Sequence, residues 1–162
     1  PTGTLVLDAL TGGERLWLIG TGTGLAPWLS VARDPETYSR FKQVIVCHTV
    51  RNVADLAYRD FFSHEIHDDP LIGEFAAGRL ILYSTTTRET TPRMGRITHL
   101  NGSGKYYADL GIAPLDPRTD RVMICGSMAM LKDVRSLVEG LGFQEGSNSK
   151  PADFVVERAF VD

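Results

Sequence analysis

At 162 residues, with 43% hydrophobic and 23% charged side chains, the chain has the composition of a soluble globular protein about one domain long. A net charge of −3 supplies no basic footprint for nucleic acid, the apolar runs are far too short to span a bilayer, and no signal-peptide pattern opens the sequence. The two cysteines, Cys47 and Cys125, lie singly inside apolar runs and lack metal-ligand spacing, so no metal site is expected, and a reducing, cytoplasmic compartment is the simplest fit.

Residues 1–14 read as a short extended piece followed by a Gly12-Gly13 turn, a linker or the tail of something upstream. The chain opens on Pro1 rather than methionine, so a fragment is expected. Arg15 to Gly20 is the first strand, and Leu25 to Arg33 follows with helical spacing, ended by Asp34-Pro35, which starts a short second helical turn. Gln43 to Val50 is a β-branched strand buried on both faces. Ala54 to His67 is predicted as one helix with Leu56, Phe61, Phe62 and Ile66 toward the sheet, and Leu71 to Ala77 as another helical stretch. The third strand runs from Arg79 to about Thr87, and residues 88–105 form a long polar loop. A short helix over Gly104 to Leu110, a fourth strand over Arg121 to Cys125, a helix over Met128 to Leu141 and a fifth strand over Phe154 to Val156 complete the chain.

Strands alternating with helices predict an α/β fold, a five-stranded doubly wound parallel sheet in the order 3-2-1-4-5 with helices on both faces. In such sheets ligands bind outside the carboxyl ends of the strands, where the chain order reverses. The loops after strands one to four therefore converge on one crevice.

The first of these loops is Gly20-Thr21-Gly22-Thr23-Gly24, between a buried strand and a helix N-terminus. Its glycines are two apart, unlike the common dinucleotide fingerprint, yet the free N–H groups and positive end of the helix suit a phosphate. Thr21 and Thr23 add hydroxyl groups, and Pro27 is tolerated in the first helical turn. The same segment also reads as a tight strand-to-helix turn with no ligand. After the third strand, Arg88 and Arg96 can grip a phosphate in bidentate fashion, or form a solvated basic face with Glu89 as partner. The second strand ends in His48-Thr49-Val50-Arg51, with no acid until Asp55 to hold ribose hydroxyls, which favours NADP over NAD. At the fourth strand end, Gly126 permits close ligand approach, Ser127 can cap the next helix, and Cys125 can pack against a flat ring or serve as a small buried hydrophobe. No histidine stands in an evident arrangement to activate Cys125 as a nucleophile.

Taken together, Thr21-Gly22-Thr23-Gly24-Leu25-Ala26-Pro27, His48-Thr49-Val50-Arg51, Thr85-Thr86-Thr87-Arg88-Glu89, Met94-Gly95-Arg96-Ile97-Thr98, Cys125-Gly126-Ser127 and Val155-Val156-Glu157-Arg158-Ala159-Phe160-Val161 resemble the NADP-binding half of bacterial ferredoxin–NADP reductases. The likeness covers nearly the whole chain. It implies that residues 21–24 hold the NADP pyrophosphate and abut a flavin. It also implies that Thr87, Arg88 and Arg96 bind the adenosine 2′-phosphate, with Arg51 assisting, and that Cys125 and Glu157 flank the nicotinamide. Ala159 matches the position of the terminal aromatic that stacks on flavin in plastid-type relatives, and Phe160 and Val161 extend beyond it.

The departure from that family is the upstream barrel that carries FAD, together with its Arg-x-Tyr-Ser motif; residues 2–6 look like the last strand of such a barrel. Residues 15–162 are thus expected to be the NADP-binding domain, and 1–14 the end of the missing one. Alone, the chain is expected to bind nucleotide poorly or moderately and to catalyse nothing. In the complete enzyme, ferredoxin or flavodoxin is the implied partner. Two alternatives stand beside this: the reductase component of an oxygenase or a free-flavin reductase, and a non-catalytic NADP-binding module.

Overall fold

A computed structural model describes residues 6–22, 25–56 and 58–158. Five strands, β1 (Arg15–Thr21), β2 (Gln43–Val50), β3 (Leu80–Thr86), β4 (Asp120–Gly126) and β5 (Phe154–Arg158), form one sheet in the order β3-β2-β1-β4-β5, with every neighbouring pair parallel. This is the topology expected from the sequence. The switch point lies between β2 and β4, on either side of β1.

The near-continuous apolar character of β1, β2 and β4 follows from burial on both faces. Alternate residues supply two cores. Leu16, Leu18, Val44, Val46, Met123 and Cys125 face one layer, built with α1 (Ala26–Arg33), α2 (Pro35–Arg40), the segment to Ile66, and α4 (Gly73–Ala76). Trp17, Ile19, Ile45, Cys47, Val122 and Ile124 face the other, built with α5 (Ile97–Ser103), α6 (Lys105–Leu110) and α7 (Met128–Gly140). In α7, Leu131, Val134 and Val138 are buried at helical spacing, and Leu137 is partly buried, as predicted.

Three local expectations need correction. The helix predicted over Ala54 to His67 is broken. Asn52 and Asp55 close a 3-10 turn over Val53–Asp55, the Asn52 N–H donating to the Asp55 carboxylate at 3.2 Å, and Tyr58 then takes φ +61. A π-helical turn, Phe61–Glu65, leads into α3 (Ile66–Asp68). Residues 100° apart on an α-helix cannot both face the core squarely. Widening to the π turn lets Phe61, Phe62 and Ile66 all bury in the first layer. Leu56, expected to face the sheet, is only half-buried.

The second correction is the loop expected over 88–105, which contains α5. A single apolar pair, Ile97 and Leu100, docks that helix, too short a pattern to read as a period. Gly104, at φ +75, separates it from α6. Third, the segment read as linker supplies core residues. Leu7–Ala9 form a 3-10 turn, Leu7, Ala9 and Leu10 are buried, and Leu10 bridges to Ala152.

At the amino edge of the sheet, Asp120 is fully buried and accepts from Arg15 Nε and Nη2 at 2.7 and 2.6 Å. The pair ties β1 to β4 at the end opposite the loops described next.

Candidate nucleotide site at the carboxyl edge

The sheet register places the chemistry-bearing residues in rows across one edge. Glu157, Cys125, Gly20 and His48 are successive partners across β5, β4, β1 and β2. One residue further along, Thr21, Thr49 and Thr85 align across β1, β2 and β3, and Val50 then pairs Thr86. With strands about 4.8 Å apart, β1 and β3 ends are roughly 10 Å from each other on the same rim. The side chains predicted from four separate loops thus share one edge.

At the end of β1, Gly22 has φ +54, and among the described residues beyond its chain neighbours no atom lies within 4 Å of where a Cβ would stand. Its N–H donates to the Thr49 carbonyl at 3.3 Å, and its own carbonyl accepts from His48 Nε2 at 3.0 Å. His48 is buried, which pushes its pKa below the usual imidazole value against the opposing pull of the Gly22 carbonyl. A carbonyl can only accept, so Nε2 carries the proton. His48 lies in a quoted motif, but its contact with Gly22 went unpredicted because it joins two strands 26 residues apart. Thr23 and Gly24 lie outside the described residues.

Past β3, backbone pairing folds the loop back on the strand. Thr86 N–H donates to Arg93 O at 3.2 Å, and Gly95 N–H donates to Thr86 O at 3.0 Å. The Thr86 hydroxyl reaches Glu89 O at 2.7 Å and the Thr91 hydroxyl at 2.8 Å. This turn brings Arg88 and Arg96 together around a cavity of about 410 Å³ lined by Thr87, Arg88, Gly95, Arg96, Thr98 and His99. Among the described residues Glu89 makes no ion pair with the arginines; its carboxylate accepts from Val53 N–H at 2.8 Å. Among the described residues, Arg51, Arg88 and Arg96 form no ion pair. Arg51 is exposed, and its carbonyl accepts from Arg88 N–H at 3.0 Å, which anchors the start of the loop to the end of β2. Thr98 enters the sequence reading only as the end of the Met94-Gly95-Arg96-Ile97-Thr98 segment and His99 not at all, because α5 that carries them was read as loop.

At the end of β4, Cys125 is buried, and its thiol is pushed up to about 11, chiefly by burial and secondarily by the negative charge of Glu157 on the neighbouring strand. It is a neutral thiol at physiological pH, suited to packing and not to nucleophilic attack. Glu157 is half-buried. The bare Cα of Gly126 makes room for β1: a Cβ there would stand 2.6 Å from the Thr21 hydroxyl oxygen. Ser127 caps α7, its hydroxyl accepting from Met130 N–H at 3.3 Å. Ala159 and Phe160 lie outside the described residues. Among the described residues, no three His, Cys, Asp or Glu side chains gather to hold a metal, and no helix is long and apolar enough to cross a membrane.

The edge carries the Thr21 hydroxyl at the end of β1 and, at β3, the Arg88 and Arg96 guanidinium groups, which form no ion pair among the described residues. That donor set suits an extended anion with phosphates at two places, and it suits NADP better than NAD.

Comparison with known proteins agrees with this geometry. Residues 18–136 match the oxidoreductase NAD-binding domain family. The chain is 53% identical over 161 residues to a flavodoxin/ferredoxin–NADP reductase of Rhodobacter capsulatus, covering 99% of this chain and 60% of that protein. It is 50% identical over 159 residues to ferredoxin–NADP reductase A of Sorangium cellulosum, covering 98% of this chain and 57% of the relative. The chain therefore spans about three-fifths of the length of these relatives. Among solved structures, a ferredoxin NADP+ reductase from Neisseria gonorrhoeae with bound FAD and NADP superposes with a TM-score of 0.84 at 27% identity, over 98% of this chain and 61% of that one.

Proposed function

From the premise that this chain belongs to the oxidoreductase NAD-binding domain family, we propose that it is the NADP(H)-binding part of a flavin-dependent ferredoxin (flavodoxin)–NADP reductase. The observation that carries the proposal is the pair Arg88 and Arg96. Free of ion pairs, they surround one cavity on the same sheet edge as the Gly22 turn. The full-length relatives bearing the reductase name, and the neighbour holding both FAD and NADP, support it.

On this reading, Thr21, Gly22, Thr23 and Gly24 receive the pyrophosphate, with Gly126 and Ser127 beside them. Thr87, Arg88 and Arg96 receive the 2′-phosphate, with Arg51 beside it. Cys125 and Glu157 border the nicotinamide, and Ala159 and Phe160 belong to the tail that meets the flavin. FAD is assigned chiefly to the part of the relatives' length that this chain does not span, as are most contacts with ferredoxin or flavodoxin. We assign residues 15–162, with the buried Leu7, Ala9 and Leu10 packed into the same core, to the NADP-binding unit, and the protein to the cytoplasm. The bound cofactors supply the hydride and electron chemistry. The chain's own residues orient the dinucleotide. The 2′-phosphate grip is remote from the reacting ring, so its binding energy helps hold the nicotinamide against the flavin face. Cys125, neutral and small, leaves room for a flat ring, and Glu157 beside it supplies a polar acceptor.

Calorimetric titration with 2′,5′-ADP and with 5′-AMP tests this. The wild-type chain is expected to prefer 2′,5′-ADP. A charge-assisted contact contributes roughly 1.5–3 kcal/mol, so Arg88→Ala should weaken 2′,5′-ADP by about 10–100-fold and leave 5′-AMP nearly unchanged. Equal losses for both ligands, or none, would overturn the assignment.

A further inference from the structure

We propose that His48 is a positioning residue for dinucleotide binding, holding the Gly22 peptide at the end of β1 by donating from Nε2 to the Gly22 carbonyl. The inference rests on the NADP reading of this edge and adds to it a residue that touches the loop and not the reacting atoms.

Four observations support it. His48 is only 1% exposed, and Nε2 lies 3.0 Å from Gly22 O. The next residue of the same strand, Thr49, accepts from Gly22 N–H at 3.3 Å, so both polar groups of one peptide-flanking glycine are held by consecutive positions of β2. Gly22 sits at φ +54, a conformation glycine enters freely and leaves as freely. Among the described residues beyond its chain neighbours, no atom lies within 4 Å of where a Gly22 Cβ would project.

A glycine-rich turn without a tether samples many shapes, and ordering it at the moment of binding subtracts from affinity. The His48 tether removes part of that cost in advance. Its chemistry is restrictive: the acceptor is a carbonyl, so only the Nε2–H tautomer serves. A side chain with an N–H at that distance can replace it, and an apolar one cannot. The effect is local to the β1 turn. The arginine cavity at β3 is built by the Thr86, Glu89, Thr91 and Arg93 bonds, in which His48 has no part.

The test uses the full chain with two ligands. NADP+ spans the loop and the arginine cavity, whereas 2′-AMP needs only the cavity. His48→Leu should weaken NADP+ by about 3–10-fold, the size of one net hydrogen bond, and leave 2′-AMP unchanged. His48→Gln, whose amide N–H₂ reaches close to the Nε2 position, should restore most of the NADP+ affinity. Parallel losses for both ligands, unchanged NADP+ binding, or a Gln variant as weak as the Leu variant would overturn the proposal. If the Leu variant does not fold, nitrogen NMR of the wild-type imidazole decides. An Nε2–H tautomer at neutral pH is expected, and an Nδ1–H tautomer or an imidazolium would overturn the proposal. A wild-type chain that binds neither ligand would defeat the NADP reading itself, whereas normal wild-type binding with an indifferent His48→Leu defeats only this inference.

Discussion

Gly126→Ala probes how tightly the rim is built. A methyl at this position would stand 2.6 Å from Thr21 Oγ1 and 2.9 Å from Met130 Sδ. Gly126 lies outside the left-handed region of backbone space, so the cost is steric and not conformational. Met130 can rotate its thioether away cheaply, being flexible and unbranched. Thr21 cannot. It is β-branched, stiff at χ1, and ends a central strand paired with β2. Restoring ordinary contact at 3.4 Å requires β1 and β4 to part locally by 0.8 Å. Overpacking of this kind costs about 1–3 kcal/mol, which lowers Tm by roughly 3–9 °C in a domain of this size.

The assay is thermal and urea unfolding of four proteins: wild type, Gly126→Ala, Thr21→Ala and the double variant. Removing the Thr21 hydroxyl removes the obstacle, so the double variant should be more stable than the sum of the single losses by about 1–2 kcal/mol. A Gly126→Ala protein that melts with the wild type would show that the strands yield freely. Strict additivity would show that the Thr21 contact is not what excludes a side chain.

Two further outcomes are expected, beyond the Arg88 and His48 tests. Asp120 accepts from Arg15 Nε and Nη2, from Asp116 N–H at 3.1 Å and from the Thr119 hydroxyl at 3.0 Å. Asp120→Ala removes the buried counter-charge of Arg15 and leaves its Nε and the Asp116 N–H without their acceptor, although Arg15 keeps its bonds to the Ala113 and Pro114 carbonyls, so urea unfolding should show a loss of about 3–5 kcal/mol, with Arg15→Met/Asp120→Leu much nearer to wild type. For Cys125, burial and the Glu157 charge raise the folded thiol to about 11, while the unfolded thiol ionises near 8.5. The folded chain therefore holds its proton where the unfolded chain loses it. The stability this difference contributes is whole below about pH 8.5 and falls away as pH climbs toward 11. Urea midpoints of wild type and Cys125→Ala across that interval, together with slow alkylation of Cys125 at neutral pH, check it.

The amino-acid order alone determined the elements whose pattern is complete within a few residues. The run Gln43 to Val50, the strand entering the Gly20–Gly24 turn and the Leu131-Val134-Val138 stripe of α7 are legible because burial on two faces, or on one helical stripe, leaves a local imprint. The alternation of such elements also implied the strand order, since right-handed crossovers leave few topologies. From that order followed the shared edge of Thr21, Arg88 and Cys125. Short or irregular segments were not legible in the same way. Phe61 and Phe62 fit a helical period and yet sit on a π turn, because the need to bury both outweighed regular helix geometry. The pair Ile97 and Leu100 is too brief to announce α5.

Only the tertiary structure decided which polar groups meet. Glu89 stands next to Arg88 in sequence, yet it binds the Val53 amide and leaves the guanidinium free. Gly126 suggested room for a ligand, and the space beside it is taken by the Thr21 hydroxyl. His48 gave no sign that it would hold Gly22. Hydrophobic periodicity is written along the chain because each apolar residue answers to the same solvent. A hydrogen bond depends on a distance and an angle between groups that sequence keeps far apart, and only the packed sheet sets those.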